Sequence, residues 1–142
     1  MVTLLSGLVG GLLATIVMTM FMMALGDDSP PPTAQLWAKY VGDGPAEEYM
    51  MPGMALHIMY GIGAGVAFVL VVPALGFGLE TLLTAVAFGA AYGIVLTVVG
   101  MILWMRVVLA MEPDPKMMGM FTVFHLVYGV VLGAVVGSGI LG

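Results

Sequence analysis

Two histidines, two tyrosines and the glycines beside them are the residues whose types and spacing could do chemistry. His57, Tyr60, Gly61 and Gly65 recur 68 positions later as His125, Tyr128, Gly129 and Gly133, and the chain has no other histidine. Both stretches read His-x-x-Tyr-Gly-x-x-x-Gly. On a helix of 3.6 residues per turn these positions form one stripe, polar at one end and free of side chains at the other. Two imidazoles at comparable depth could ligate a b-type haem or a metal from opposite sides, with Gly61 and Gly129 clearing room for a flat macrocycle. The other reading is a packing seam, in which each imidazole bonds a tyrosine, a threonine or a backbone carbonyl. Thr15, Thr19 and Thr97 are the hydroxyls placed to hold a ring in that way.

Methionine is the second chemical signal. The chain has 15 methionines and no cysteine, which excludes disulfides and thiolate sites. Met18/Met22, Met50/Met54 and Met101/Met105 fall one helical turn apart, and thioethers with imidazoles are donors that select Cu(I). Methionine is equally an adaptable filler beside glycine-lined grooves. Met-xxx-Met beside Gly-xxx-Gly is similar, in short motifs only, to the membrane copper-uptake transporters, which have a different number of spans. No cofactor is expected; haem b and Cu(I) stand as the alternatives.

The elements that must position these residues are transmembrane helices. The chain is 62% hydrophobic and 8% charged, with a mean hydropathy of +1.18, whereas about a quarter of the residues of a soluble domain are charged. Four apolar runs, at 3–25, 54–75, 81–105 and 119–141, reach the roughly 20 residues a bilayer requires. The first ends at Gly26-Asp27-Asp28 without a cleavage site and reads as a retained span. Residues 33–41 predict an interfacial helix with Trp37 and Tyr40 at headgroup level. Pro45-Ala46-Glu47-Glu48 predicts a further helix start. The link at 76–80 is short, so spans two and three should be antiparallel neighbours. The expected fold is an all-α, single-domain, four-transmembrane-helix bundle spanning residues 1–142.

The bundle should be two tandem helical hairpins. Gly11, Thr15 and Met23 match Gly93, Thr97 and Met105 at an offset of 82, and the histidines match at 68; a longer first connection accounts for the difference. Two spans per unit preserve orientation, which predicts a pseudo-two-fold axis along the membrane normal. Gly7/Gly11, Gly61/Gly65, Gly89/Gly93 and Gly129/Gly133/Gly137 are small residues one turn apart, suited to close helix packing. All three basic residues lie on the side of the two long connections, which the positive-inside rule makes cytoplasmic, leaving both termini external.

The net charge of −5 suits neither nucleic acid nor an anionic surface. No Asp, Glu, Lys or Arg lies inside a span, which argues against proton pumps and ion-coupled carriers. No nucleophile–base set, phosphate loop or HExxH is present, so an enzyme is not expected. The acid-rich, lysine-poor usage resembles that of halophilic archaea. The duplicated His-x-x-Tyr-Gly and glycine-rich first and third spans resemble a family of small, uncharacterised four-span membrane proteins of archaea and bacteria, a likeness that implies fold and no activity. The function expected is helix–helix association, as a homo-oligomer or an accessory subunit of a larger membrane complex, such as a respiratory one. A small-solute channel or carrier is the rival.

Overall fold

The computed structural model describes residues 2–142, and these form an all-helical bundle with no strand among them. Five α-helices follow in order: α1 (Leu4–Leu25), α2 (Pro32–Tyr40), α3 (Met50–Ala74), α4 (Leu82–Val99) and α5 (Pro115–Gly137). A 3-10 turn, Ala46–Tyr49, leads directly into α3, and a π-helical segment, Gly100–Val108, continues α4. Four of the resulting helices are long and apolar enough to cross a membrane.

Local chemistry sets the ends. Thr3 caps α1 by accepting from the Ser6 N–H at 3.1 Å, and its own N–H reaches Ser6 Oγ at 3.2 Å, a reciprocal box. The Thr3 hydroxyl also donates to the Leu141 carbonyl at 2.9 Å, so the two ends of the chain meet. Thr81 and Asp114 cap α4 and α5 by accepting from Thr84 and Met117. Proline opens α2 and α5 at their first turns, where its missing N–H is not needed.

Four boundaries differ from the sequence expectation. α3 begins at Met50 rather than near 54, because the 3-10 turn feeds it. α5 begins at Pro115 and ends at Gly137, about four residues early at both ends. Its first turn lies beyond the apolar run and tolerates Lys116 there. The third span runs on to Val108 in π form.

α1 packs against both α3 and α5, and α5 packs along α4. α3 and α4 are neighbours as expected, but their backbones stay apart and side chains bridge the gap. The Tyr92 hydroxyl donates to the Ala64 carbonyl at 2.9 Å. The rings of Phe68/Tyr92, Phe77/Phe88 and Tyr60/Trp104 meet at 5.2, 4.9 and 5.7 Å. α2 lies on α3 through fully buried Ala34, which sits where a Cβ on Gly53 would fall. Its C-terminal end is tied across the bundle by Lys39 Nζ and the Tyr40 hydroxyl, both donating to the Val108 carbonyl.

Candidate ligand-binding cavity

The glycine stripes are used inside the chain. A Cβ on Gly7 would fall 2.9 Å from the Gly65 carbonyl oxygen, and one on Gly11 would fall 2.6 Å from that of Gly61. In the second pair Gly89 lies on the Gly129 carbonyl, Gly93 on the His125 carbonyl, and Gly133 on the Ala85 carbonyl. Measured by the sequence offsets, the α4–α5 contacts are slid one helical turn relative to the α1–α3 contacts. Gly137 packs on Leu82 and Ala85 at the end of the same seam.

The slide gives the two His-x-x-Tyr-Gly copies different surroundings. Tyr128 is buried and its hydroxyl donates to the Gly61 carbonyl of α3 at 2.5 Å, whereas Tyr60 stands partly exposed with its ring edge-on to Trp104. His125 is buried; its Nδ1 meets the Phe121 carbonyl of its own helix at 2.8 Å, and its ring lies 4.1 Å from that of Phe121. His57 has a buried Nε2 with no partner. The threonines hold neither ring. Thr15, Thr19 and Thr97 donate to the carbonyls of Gly11, Thr15 and Gly93, four residues back in their own helices. Nor do Gly61 and Gly129 make room for a macrocycle: the space beside them is taken by the Thr15 hydroxyl and the Gly89 carbonyl.

What the two histidines do share is a cavity of about 470 Å³ in the connection-side half of the bundle. Its floor is Thr15, Gly61, Leu96 and Tyr128, and its walls carry His57, His125, Trp104, Phe121 and Phe124. Met18, Met22, Met105, Met111, Met117 and Met120 also face it. At the rim stand Asp27, Asp114 and Lys116, with Thr33 of α2 beside them. The Ser29 side chain and backbone N–H both donate to Asp27, holding its carboxyl below the ordinary aspartate range, so the rim stays charged.

The six methionines of the helical pairs are divided by the fold. Met18, Met22 and Met105 line the cavity; Met50, Met54 and Met101 do not. Met105 lies buried in a segment that is π-helical, with the Leu109 N–H bonding the Trp104 carbonyl five residues back. Gly100 and Met105 are therefore both buried, although five residues of α-helix would set them about 140° apart. The sequence reading missed the parts played by Thr33, Trp104, Phe121 and Phe124. Only Phe121, one turn before His125, carried a signal that could have been read.

No family model, curated protein or solved structure matches the chain.

Proposed function

We propose that this is a non-enzymatic integral membrane protein that holds a small ligand in the connection-side cavity. One observation carries the reading. Among the described residues, the two buried side-chain polar atoms without a hydrogen-bond partner are Thr33 Oγ1 and His57 Nε2, and both residues line this cavity. Such atoms each cost about 1–3 kcal/mol when left unmet, so a cavity that gathers them is arranged for something that meets them. The π-helical segment supports it too, since such segments are frequent where a helix serves a site.

An uncharged fluorescent probe tests the reading. 1-Aminoanthracene is expected to bind the purified protein saturably, one molecule per chain, and Met120→Trp, which fills the cavity, is expected to abolish binding with helix content unchanged. Absence of saturable binding to the unaltered protein rules the reading out.

Association with a second copy or a larger membrane protein is the second reading. The glycine pairs are occupied within the chain, so this reading rests on the outer face of α4, where Ala87 and Ala91 lie one turn apart and exposed. Ala87→Leu/Ala91→Leu is then expected to shift migration in mild detergent to the monomer. An unchanged elution volume would remove it.

The two hairpins are read as a duplication that has slipped by one turn. The connections are placed in the cytoplasm and the termini outside, on the strength of Lys39, Arg106 and Lys116. Because the chain has no cysteine, single Asp43→Cys and Ser138→Cys variants report orientation cleanly. A membrane-impermeant maleimide applied to whole cells should label position 138 and not position 43; the reverse pattern inverts the topology.

A further inference from the structure

The class of ligand follows from the size, walls and hydrogen-bonding demands of the cavity, an inference that rests on the ligand-binding reading above. A metal ion needs donors converging to about 2–2.6 Å, and about 470 Å³ of open space is no coordination shell. The volume falls instead in the roughly 300–1,000 Å³ range of organic-ligand pockets, which are apolar with a few placed polar groups. Trp104, Phe121 and Phe124 supply flat aromatic walls.

His125 sets the polarity of the ligand. A carbonyl oxygen only accepts, so the 2.8 Å contact with Phe121 places the ring proton on Nδ1. In the neutral ring Nε2 is then an acceptor, and its partner must bring a proton: a hydroxyl, not a ketone or an ether. His57 Nε2 offers a second hydrogen bond with no partner of its own.

Charge and access narrow the class further. Two carboxylates against one lysine stand at the rim, which disfavours an anion. The wall also includes Met59 and Tyr60 of α3, which are 68% and 39% exposed, so the cavity reaches the outer surface of the bundle between α3 and the π-helical segment. A molecule dissolved in the bilayer can enter there.

We infer that the cavity binds the ring of an uncharged hydroquinone lipid, one ring hydroxyl donating to His125 Nε2 and the other ring oxygen bonded by His57 Nε2.

The test uses the full chain with Trp37→Phe, which leaves Trp104 as the single tryptophan. 2,3-Dimethoxy-5-methyl-1,4-hydroquinone, added without oxygen, is expected to quench Trp104 emission saturably. Its 1,4-dimethyl ether, which has no proton to donate, should bind about tenfold more weakly. His125→Phe keeps a ring beside Phe121 and should weaken the hydroquinone about tenfold while leaving the ether unchanged. Equal affinity for hydroquinone and ether in the parent protein overturns the inference without recourse to any histidine variant. Probe binding without hydroquinone binding also overturns it and leaves the cavity reading standing; failure of both ligands removes the two together. Stoichiometric haem absorbance or copper in the purified protein would assign the imidazoles to a metal and overturn it as well.

Discussion

Gly11→Leu and Gly129→Leu are each expected to prevent the bundle from closing, while Gly63→Leu is expected to leave it intact. At Gly11 a Cβ would fall 2.6 Å from the Gly61 carbonyl oxygen and 3.0 Å from Ile62 Cα. At Gly129 it would run into the Gly89 carbonyl and lie 3.1 Å from the Gly93 nitrogen. These obstacles are helix backbone, which cannot rotate aside as a side chain can. The two helices must separate, and each then loses its contacts along the whole seam. In lipid, helices gain little from the hydrophobic effect when they associate, so close van der Waals packing lost at the seam is not recovered elsewhere. Overpacking with movable neighbours costs about 1–3 kcal/mol, and rigid neighbours place these substitutions at about 3 kcal/mol or above. Gly63 faces outward with no atom within 4 Å of its Cβ position, so its change should stay within about 0.5 kcal/mol. Unfolding in mixed micelles followed by circular dichroism measures the order. A Gly11→Leu midpoint equal to that of Gly63→Leu would refute the account of the seam.

The same glycines explain why part of the fold was legible in the sequence and part was not. Four helices could be read from apolar length, and the caps at Thr3, Thr81 and Asp114 sit where such residues belong. The one-turn slide could not be read. A stripe with a small residue every fourth position offers the same groove after a shift of four, so Gly89 finds Gly129 as readily as Gly7 finds Gly65. The motif names the face and leaves the register open. The π-helical segment was hidden for a related reason: Gly-Met-Ile-Leu-Trp-Met-Arg-Val-Val has the hydropathy of any span end. Its extra residue per turn goes with ties made elsewhere, Lys39 and Tyr40 on the Val108 carbonyl among them. Part of the cavity was visible as histidine and methionine on the connection side. Phe121 and Phe124 share α5 with His125 and Trp104 adjoins Met105, but Thr33 comes from α2, and only the folded arrangement brings these segments to the same space.

Phe68→Ala is expected to destabilise the protein by about 3 kcal/mol and to remove probe binding with it, a larger effect than Tyr92→Phe on the partner ring. Phe68 is fully buried on α3, and its ring lies 5.2 Å from that of Tyr92 on α4. Because the α3 and α4 backbones do not touch closely, these rings act as struts that set the width of the gap. Truncating a buried Phe in a soluble core costs about 3–5 kcal/mol, part of it transfer from water and part the void left behind. In a bilayer the transfer part shrinks, since lipid is as apolar as the core. The void and the lost dispersion contacts remain, which places the effect at the lower end of that range. Tyr92→Phe keeps the ring and removes only the hydroxyl bonded to the Ala64 carbonyl, a loss of about 1 kcal/mol. Ala64 belongs to the cavity wall, so the strut sets both the spacing of α3 from α4 and the width of the site between them. With Phe68 gone α3 can tilt into the gap, and 1-aminoanthracene should bind at least tenfold more weakly. With Tyr92→Phe the spacing is kept, and binding should change less than threefold. If Phe68→Ala retained parental affinity for the probe, the gap would not depend on the strut and the coupling between this pair and the cavity would be refuted.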